Sequence, residues 1–306
     1  QFLDAQAWIY MPRSTPRMKI REVERLGGRN VHIIVQGDMY DDAAALARTN
    51  SAETGRPFIH AYDDLLVMGG QGSIGDEVAM AAVDPEVAFL QIGGGGMAAS
   101  TACVLKTFYP KIRIIGVEGV RQACMRRALE AGRPVDLAEV DVFCDGTAVK
   151  RAGDLTYRYC LQLLDEIVTV ANDEVCAAIQ ALWESTRLIA EPSGAMGVAA
   201  AMKRPEAWKG RRAVCVLSGA NMDFAQLAWI ARHAGVGLDE RRYYQFEIGE
   251  RAGSLLDLLE TVMDGINIID FQYGKTDSHR AWPVIGFEAS PMALEVVAGA
   301  RWPDRC

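Results

Sequence analysis

Val87-Ala88-Phe89-Leu90-Gln91-Ile92 runs into Gly93-Gly94-Gly95-Gly96-Met97, and a helical pattern begins at Ala98. A short apolar run closed by glycines and followed by a helix is a buried strand feeding a helix N-terminus. Glycine lacks a Cβ, so such a turn brings several backbone N–H groups close to one point, and the helix aims its positive end there too. That geometry suits a phosphate. A strand-to-helix turn with no ligand is the plainer alternative, but four successive glycines cost more backbone entropy than a turn requires.

Outward from this stretch, short β-branched runs alternate with longer helical patterns, the signature of an α/β fold with a mainly parallel sheet. Strands are expected at Ala7–Met11, Val31–Val35, Phe58–Ala61, Val87–Ile92, Arg113–Val117, Ile167–Val170 and Ala213–Leu217. Helices are expected at Met18–Leu26, Asp41–Thr54, Ile74–Ala82, Ala98–Tyr109, Arg121–Ala131, Leu155–Leu164, Asp173–Ser185, Gly194–Met202 and Phe224–Ala231. Asn172 before Asp173-Glu174 predicts an N-cap with acids in the first turn. Past Leu238 the character changes. The charged run Asp239-Glu240-Arg241-Arg242 precedes strand Tyr243–Ile248, helix Ser254–Met263, and strands Asn267–Tyr273 and Val284–Glu288. This β-α-β-β order predicts a small α+β module of the ferredoxin-like kind over 239–306, beside a larger unit over 1–238. Only Met292–Ala300 follows, and 301–306 has no strand character, so the module reads as incomplete at its end.

Composition narrows the function classes. Of 306 residues, 50% are hydrophobic and 24% charged, with a net charge of −8. The balance is that of a globular protein, and the lack of a basic cluster argues against nucleic acid as a partner. There is no apolar stretch of spanning length and no signal peptide, which predicts a cytoplasmic protein away from membranes. The seven cysteines form no C-x-x-C pair, so neither a disulfide framework nor a structural zinc site is expected.

Three constellations accompany the glycine turn. Ser218-Gly219-Ala220-Asn221 follows a buried strand, where a hydroxyl faces the crevice in which open α/β sheets bind ligands. Its alternative is an ordinary N-cap or turn. Glu191-Pro192-Ser193-Gly194-Ala195 starts a helix, and Glu191 would hold a cation or a substrate amine, or merely favour the helix dipole. Asp145-Gly146-Thr147-Ala148-Val149-Lys150 is a turn whose lysine is expected to be solvated. His32, His60, His233 and His279 show no metal-ligand spacing. A rival reading takes Gly93, Gly95 and Ala98 as a loose dinucleotide-binding turn for an NAD-dependent oxidoreductase, with Glu118 on the ribose. It leaves Ser218 and Glu191 without a role.

These segments together resemble the threonine dehydratase (threonine ammonia-lyase) family of pyridoxal-phosphate enzymes, from Ala7 to about Glu288. The resemblance rests on Tyr10-Met11-Pro12 with Thr15-Pro16, Leu26-Gly27-Gly28, and Asp63-Asp64 leading to Gly70-Gln71-Gly72-Ser73-Ile74-Gly75. The four motifs around Gly93, Asp145, Glu191 and Ser218 complete it. It implies a tryptophan-synthase-β-like, fold-type II catalytic domain. It also implies pyridoxal 5'-phosphate, with Gly93, Gly94, Gly95, Gly96 and the Met97 N–H cradling the phosphate. Ser218 would hydrogen-bond the pyridine nitrogen, a neutral partner that limits ring protonation, and Glu191 would line the site or lie near a cation. The C-terminal module resembles an ACT-like regulatory domain, through Arg251-Ala252-Gly253-Ser254-Leu255, with isoleucine or valine as effector and a tetramer as the family's usual assembly.

One departure matters. The family's S-x-F-K-x-R-G-A segment, whose lysine forms the Schiff base, and its S-x-G-N-H substrate loop do not occur in this sequence. Lys19 matches an ordinary family lysine and is not that base. The expectation is therefore L-threonine (or L-serine) deamination in isoleucine biosynthesis as the family activity, with no catalytic residue in this chain and little activity from it alone. The first strands of the sheet are expected to be absent too, which would expose an edge and apolar surface. A catalytically dead binder of pyridoxal phosphate or an amino acid is the alternative.

Overall fold

A computed structural model describes residues 4–220, 222, 224–262, 266–274 and 279–299. Strand β1 (Ala7–Met11), helix α1 (Arg17–Gly27) and strand β2 (Val31–Val35) form a parallel pair, Ala7 opposite Val31 and Met11 opposite Val35. Helices α2 (Tyr40–Thr54) and α3 (Leu65–Met80) follow. The second unit runs β3 (Val87–Gln91), α4 (Gly96–Phe108), β4 (Arg113–Gly119), α5 (Cys124–Ala131), α6 (Asp154–Leu163) and β5 (Glu166–Val170). It continues through α7 (Asn172–Thr186), α8 (Pro192–Lys203), α9 (Pro205–Trp208), β6 (Ala213–Cys215) and α10 (Phe224–Gly237). Its four strands are all parallel, in the order β5-β4-β3-β6.

This sheet is covered on both faces, which is why β3 has no polar alternation. Val87 and Phe89 pack on one face with Ala195 and Met196 of α8 and Ile179 of α7. Ala88, Leu90 and Ile92 pack on the other with Ala98, Ala102 and Leu105 of α4. Every residue of β3 is buried. Burying each large side chain stabilises the fold by ~1.5–3 kcal/mol.

The C-terminal residues build β7 (Arg241–Gln245), β8 (Ile248–Gly249), α11 (Ser254–Val262), β9 (Asn267–Gln272), β10 (Arg280–Ala281), β11 (Val284–Glu288) and α12 (Pro291–Gly299). An antiparallel sheet β7-β11-β9 and a short β8-β10 pair share a core of Leu258, Ile285, Phe287 and Leu294.

Several expected elements differ. Phe58–Ala61 is not a strand: His60 Nδ1 accepts from the Tyr62 and Asp63 N–H groups and curls the chain instead. The helix expected from Ile74 begins at Leu65, capped by Asp64, whose Oδ1 accepts from Leu66 N and Val67 N at 2.8 and 3.1 Å. Two of its glycines make room for α4: a Cβ on Gly72 would lie 3.4 Å from Val104 Cγ2, and one on Gly75 2.7 Å from Val104 Cβ. The strand expected over Tyr243–Ile248 divides between two partners, because Pro283, lying between β10 and β11, has no N–H for a continuous ladder. Asn172 is the first helical residue of α7, and Glu174 reaches back to accept from Ala171 N at 2.7 Å. The expectations at Asn221, Met263, Asp277 and 301–306 lie outside the described residues.

The open side of the molecule is around β1, β2 and α3. Leu66 is 88% exposed and Ile59 77% exposed, against zero for Phe89.

Candidate functional site

The glycine turn leaves β3 at its carboxyl end. Gly95 has φ +98°, a conformation costly for any residue with a Cβ, and it lets α4 begin at once with Gly96. The carbonyls of the turn are tied down. Gly94 O accepts from Thr156 Oγ1 at 2.6 Å and Gly153 N at 3.2 Å, and Gly93 O accepts from Cys124 Sγ at 3.3 Å. The N–H groups are not. Among the described residues none of the N–H groups of Gly94, Gly95, Gly96 and Met97 donates to an acceptor, although the three glycines are buried. Buried donors without partners at a helix N-terminus suit an anion.

Tyr62 covers this turn. A Cβ on Gly94 would lie 2.3 Å from Tyr62 Cδ2, so the ring lies flush on the turn's backbone. Tyr62 OH donates to Arg151 O at 3.2 Å, and burial pushes its phenol pKa well above 10. The next residue fixes the facing helix: Asp63 Oδ1 accepts from Leu155 N and Thr156 N, and Oδ2 from Asp154 N, within 3.1 Å. Asp63 and Asp64 therefore cap two different helices, α6 and α3.

The other constellations converge on the same end of the sheet. Thr147 Cα would lie 3.0 Å from a Cβ on Gly93, and Glu191 Oε1 3.1 Å from one on Gly146. Gly219 (φ +90°) has Glu191 Cδ 2.3 Å from the place of a Cβ, and Glu191 N donates to Gly219 O at 3.1 Å. Ser218 Oγ accepts from Gln91 Nε2 at 2.5 Å. Turn, Ser218, Glu191 and the Asp145 loop thus form one wall.

Sequence reasoning did not assign Tyr62, Asp63 or Gln91. Gln91 carried a signal, as the one polar residue in an otherwise apolar strand. Lys19, which the resemblance matched to an ordinary lysine, holds Asp145 Oδ2 with its Nζ at 2.6 Å, and Lys106 and Lys203 pair with Asp165 and Glu174. Among the described residues no lysine donates to the glycine turn or to Ser218. No group of three His, Cys, Asp or Glu suited to a metal occurs among them either.

Glu118, the acid a dinucleotide reading would place on a ribose, is fully buried and spends both oxygens on α5. Met125 N donates to Oε1 at 2.8 Å and Arg126 N to Oε2 at 2.9 Å. Burial pushes its carboxyl pKa up to about 7, although the two N–H donors oppose the rise. Beside it, burial pushes the Cys124 thiol up as well, which keeps it a neutral S–H donor to the turn. Cys144, Cys160 and Cys176 are likewise buried free thiols, whereas Cys103 is exposed. No helix among the described residues is long and apolar enough to cross a membrane.

Comparison with known proteins bears on the family of the chain. Residues 1–219 match the pyridoxal-phosphate dependent enzyme family. The chain is 38% identical over 286 residues to the biosynthetic L-threonine dehydratase of Haemophilus influenzae, covering 93% of this chain and 55% of that protein. It is 32% identical to the biosynthetic L-threonine dehydratase of Halalkalibacterium halodurans, covering 92% of this chain and 68% of that protein. The processed form of threonine deaminase isoform 2 from Solanum lycopersicum superposes with a TM-score of 0.71 at 39% identity, over 76% of this chain and 68% of that one. The chain spans little more than half the length of the H. influenzae relative.

Proposed function

Because the chain belongs to the pyridoxal-phosphate dependent enzyme family, on its threonine dehydratase branch, we propose that it holds pyridoxal 5'-phosphate for the deamination of L-threonine to 2-oxobutanoate and ammonia. The observation that carries this reading is the set of unpartnered N–H groups at Gly94–Met97, those of the three glycines buried. Those donors fit a phosphate dianion, and the tied-down carbonyls of Gly93 and Gly94 keep negative dipoles turned away from it.

Each part of the wall has a task. The glycine turn binds the phosphate and fixes the cofactor's position, with Tyr62 excluding water from one side. Ser218 Oγ–H donates to the ring nitrogen. What pyridoxal phosphate supplies when bound is an electron sink for the pair left at the substrate Cα. Glu191, held between Gly146 and Gly219, lies at the wall where a substrate amine or a cation would sit. Lys19, Lys106, Lys203 and Lys209 pair with acids, and no described lysine donates to the turn or to Ser218, so removal of the Cα proton is not assigned to a described residue.

The division at 238/239, the ACT-like character of 239–306, control by isoleucine or valine, tetramer formation and a cytoplasmic setting belong to the same proposal. The separate core around Leu258 and Phe287 supports the division, and the resemblance supports the rest. L-Serine is the competing substrate.

The test is a titration with pyridoxal 5'-phosphate beside a 2-oxobutanoate assay with L-threonine. Saturable binding without turnover from the 306-residue chain is the expected result. Turnover would show a base that the described residues do not reveal, and absence of binding would end the reading. Isoleucine binding by calorimetry, lost with Phe287→Ala, checks the C-terminal module.

A further inference from the structure

Gln91 is the one residue of β3 with a polar side chain, and it is 4% exposed. Its neighbours fix which way its amide points. Nε2 lies 3.1 Å from the Val216 carbonyl oxygen, which only accepts, so the amide NH2 and not the oxygen faces that side. The same Nε2 lies 2.5 Å from Ser218 Oγ. The second amide hydrogen therefore goes to Ser218, and Ser218 is the acceptor in that bond. Oε1, pointing the other way, is buried and has no partner among the described residues. An orphaned buried oxygen costs ~1–3 kcal/mol. A leucine or methionine of similar volume would avoid that cost.

From this geometry we infer that Gln91 is a positioning residue: it occupies a lone pair of Ser218 Oγ and turns the Ser218 hydroxyl proton toward the cofactor's ring nitrogen. The inference rests on the functional reading above, in which Ser218 faces that nitrogen. A hydroxyl that accepts an N–H bond is polarised into a stronger donor and a weaker acceptor. Ser218 then favours an unprotonated ring nitrogen and disfavours a pyridinium, whose N–H would need an acceptor. Gln91 thus sets the protonation of a ring it does not touch. Without it the Ser218 hydroxyl rotates freely and serves either form.

The test uses the whole chain with pyridoxamine 5'-phosphate labelled with 15N in the ring, a form that does not condense with surface lysines. The ring 15N resonance is followed against pH, and the 31P resonance reports whether the phosphate is seated. For the unmodified chain the ring nitrogen is expected unprotonated at pH 7. In Gln91→Met the 31P signal stays and the pH of ring protonation rises by about one unit, a tenfold change in that equilibrium. Ser218→Ala abolishes the difference between Gln and Met at 91. An unmodified complex already protonated at pH 7 overturns the inference without need of a variant. So does an unchanged protonation pH in Gln91→Met with the phosphate seated. Loss of all binding in the unmodified chain is a different result: it removes the functional reading, and the inference with it.

Discussion

The two parallel ladders of this molecule come from the same strand-helix-strand grammar and end in opposite conditions. In β5-β4-β3-β6 both faces are covered, and β3 is buried from Val87 to Gln91. The β1–β2 pair has no buried residue, although α1 and α2 touch it; Trp8 stacks on His32 at 4.7 Å, and Arg56 sits 3.5 Å above Trp8. Parallel pairing is stable when helices bury both faces, and here only one ladder has them. The candidate site is on that ladder. A turn that leaves donors unpartnered for a ligand has to be held by its surroundings, and only the covered sheet provides them.

The contrast is broken most forcefully in the core. Phe89→Ala should cost ~3–5 kcal/mol, whereas Trp8→Ala should cost about 1 kcal/mol, the scale of one exposed cation–π contact with its stack. Urea unfolding of both variants measures the ratio, and equal losses would erase the distinction.

Acid titration sharpens it next. The Glu118 carboxyl pKa is raised in the folded chain from 4.5 to about 7. The native state thus holds more protons than the unfolded state between those values, so this group's contribution to stability falls as pH rises through that window. The fall is on the order of 3 kcal/mol. Urea midpoints from pH 4 to 8 should show it in the unmodified chain and a flatter profile in Glu118→Gln.

Gly95→Ala places a Cβ 2.7 Å from Met125 Cε at φ +98°. Strain and overpacking together should cost ~1–3 kcal/mol and abolish phosphate-dependent cofactor binding. Fluorescence titration and thermal unfolding measure the two effects. The smallest effect is expected at the junction of the ladders. Lys19 and Asp145 are only partly buried, at 26% and 35% exposure, so Lys19→Met should cost at most ~1 kcal/mol. Faster proteolytic cutting near β1 and β2, with the β3 region unchanged, is the result that would place this pair between them.

Much of the covered ladder was legible because its signals are local. An apolar run, four glycines, a serine after a strand and a Glu-Pro helix start each dictate backbone geometry in place. What was not legible depends on partners distant in sequence. Phe58–Ala61 has strand composition but no ladder partner, and His60 turns it toward the site. Gly72 and Gly75 of α3 acquire their reason only from Val104 of α4, which takes the space beside them. Asp63 and Asp64 are one dipeptide in sequence and caps of two helices in space. Gln91 was visible as an oddity within β3, but its amide acquires a direction only from Val216 and Ser218, more than a hundred residues on.

The most direct measurement is a binding titration of the chain with pyridoxamine 5'-phosphate, pyridoxamine and NADH, followed by tryptophan fluorescence. The account predicts saturable binding of the phosphorylated form, at least about tenfold weaker binding of pyridoxamine, since the phosphate carries the charge-assisted bonds, and no competition by NADH. Equal affinity with and without the phosphate, or displacement by NADH, would contradict it.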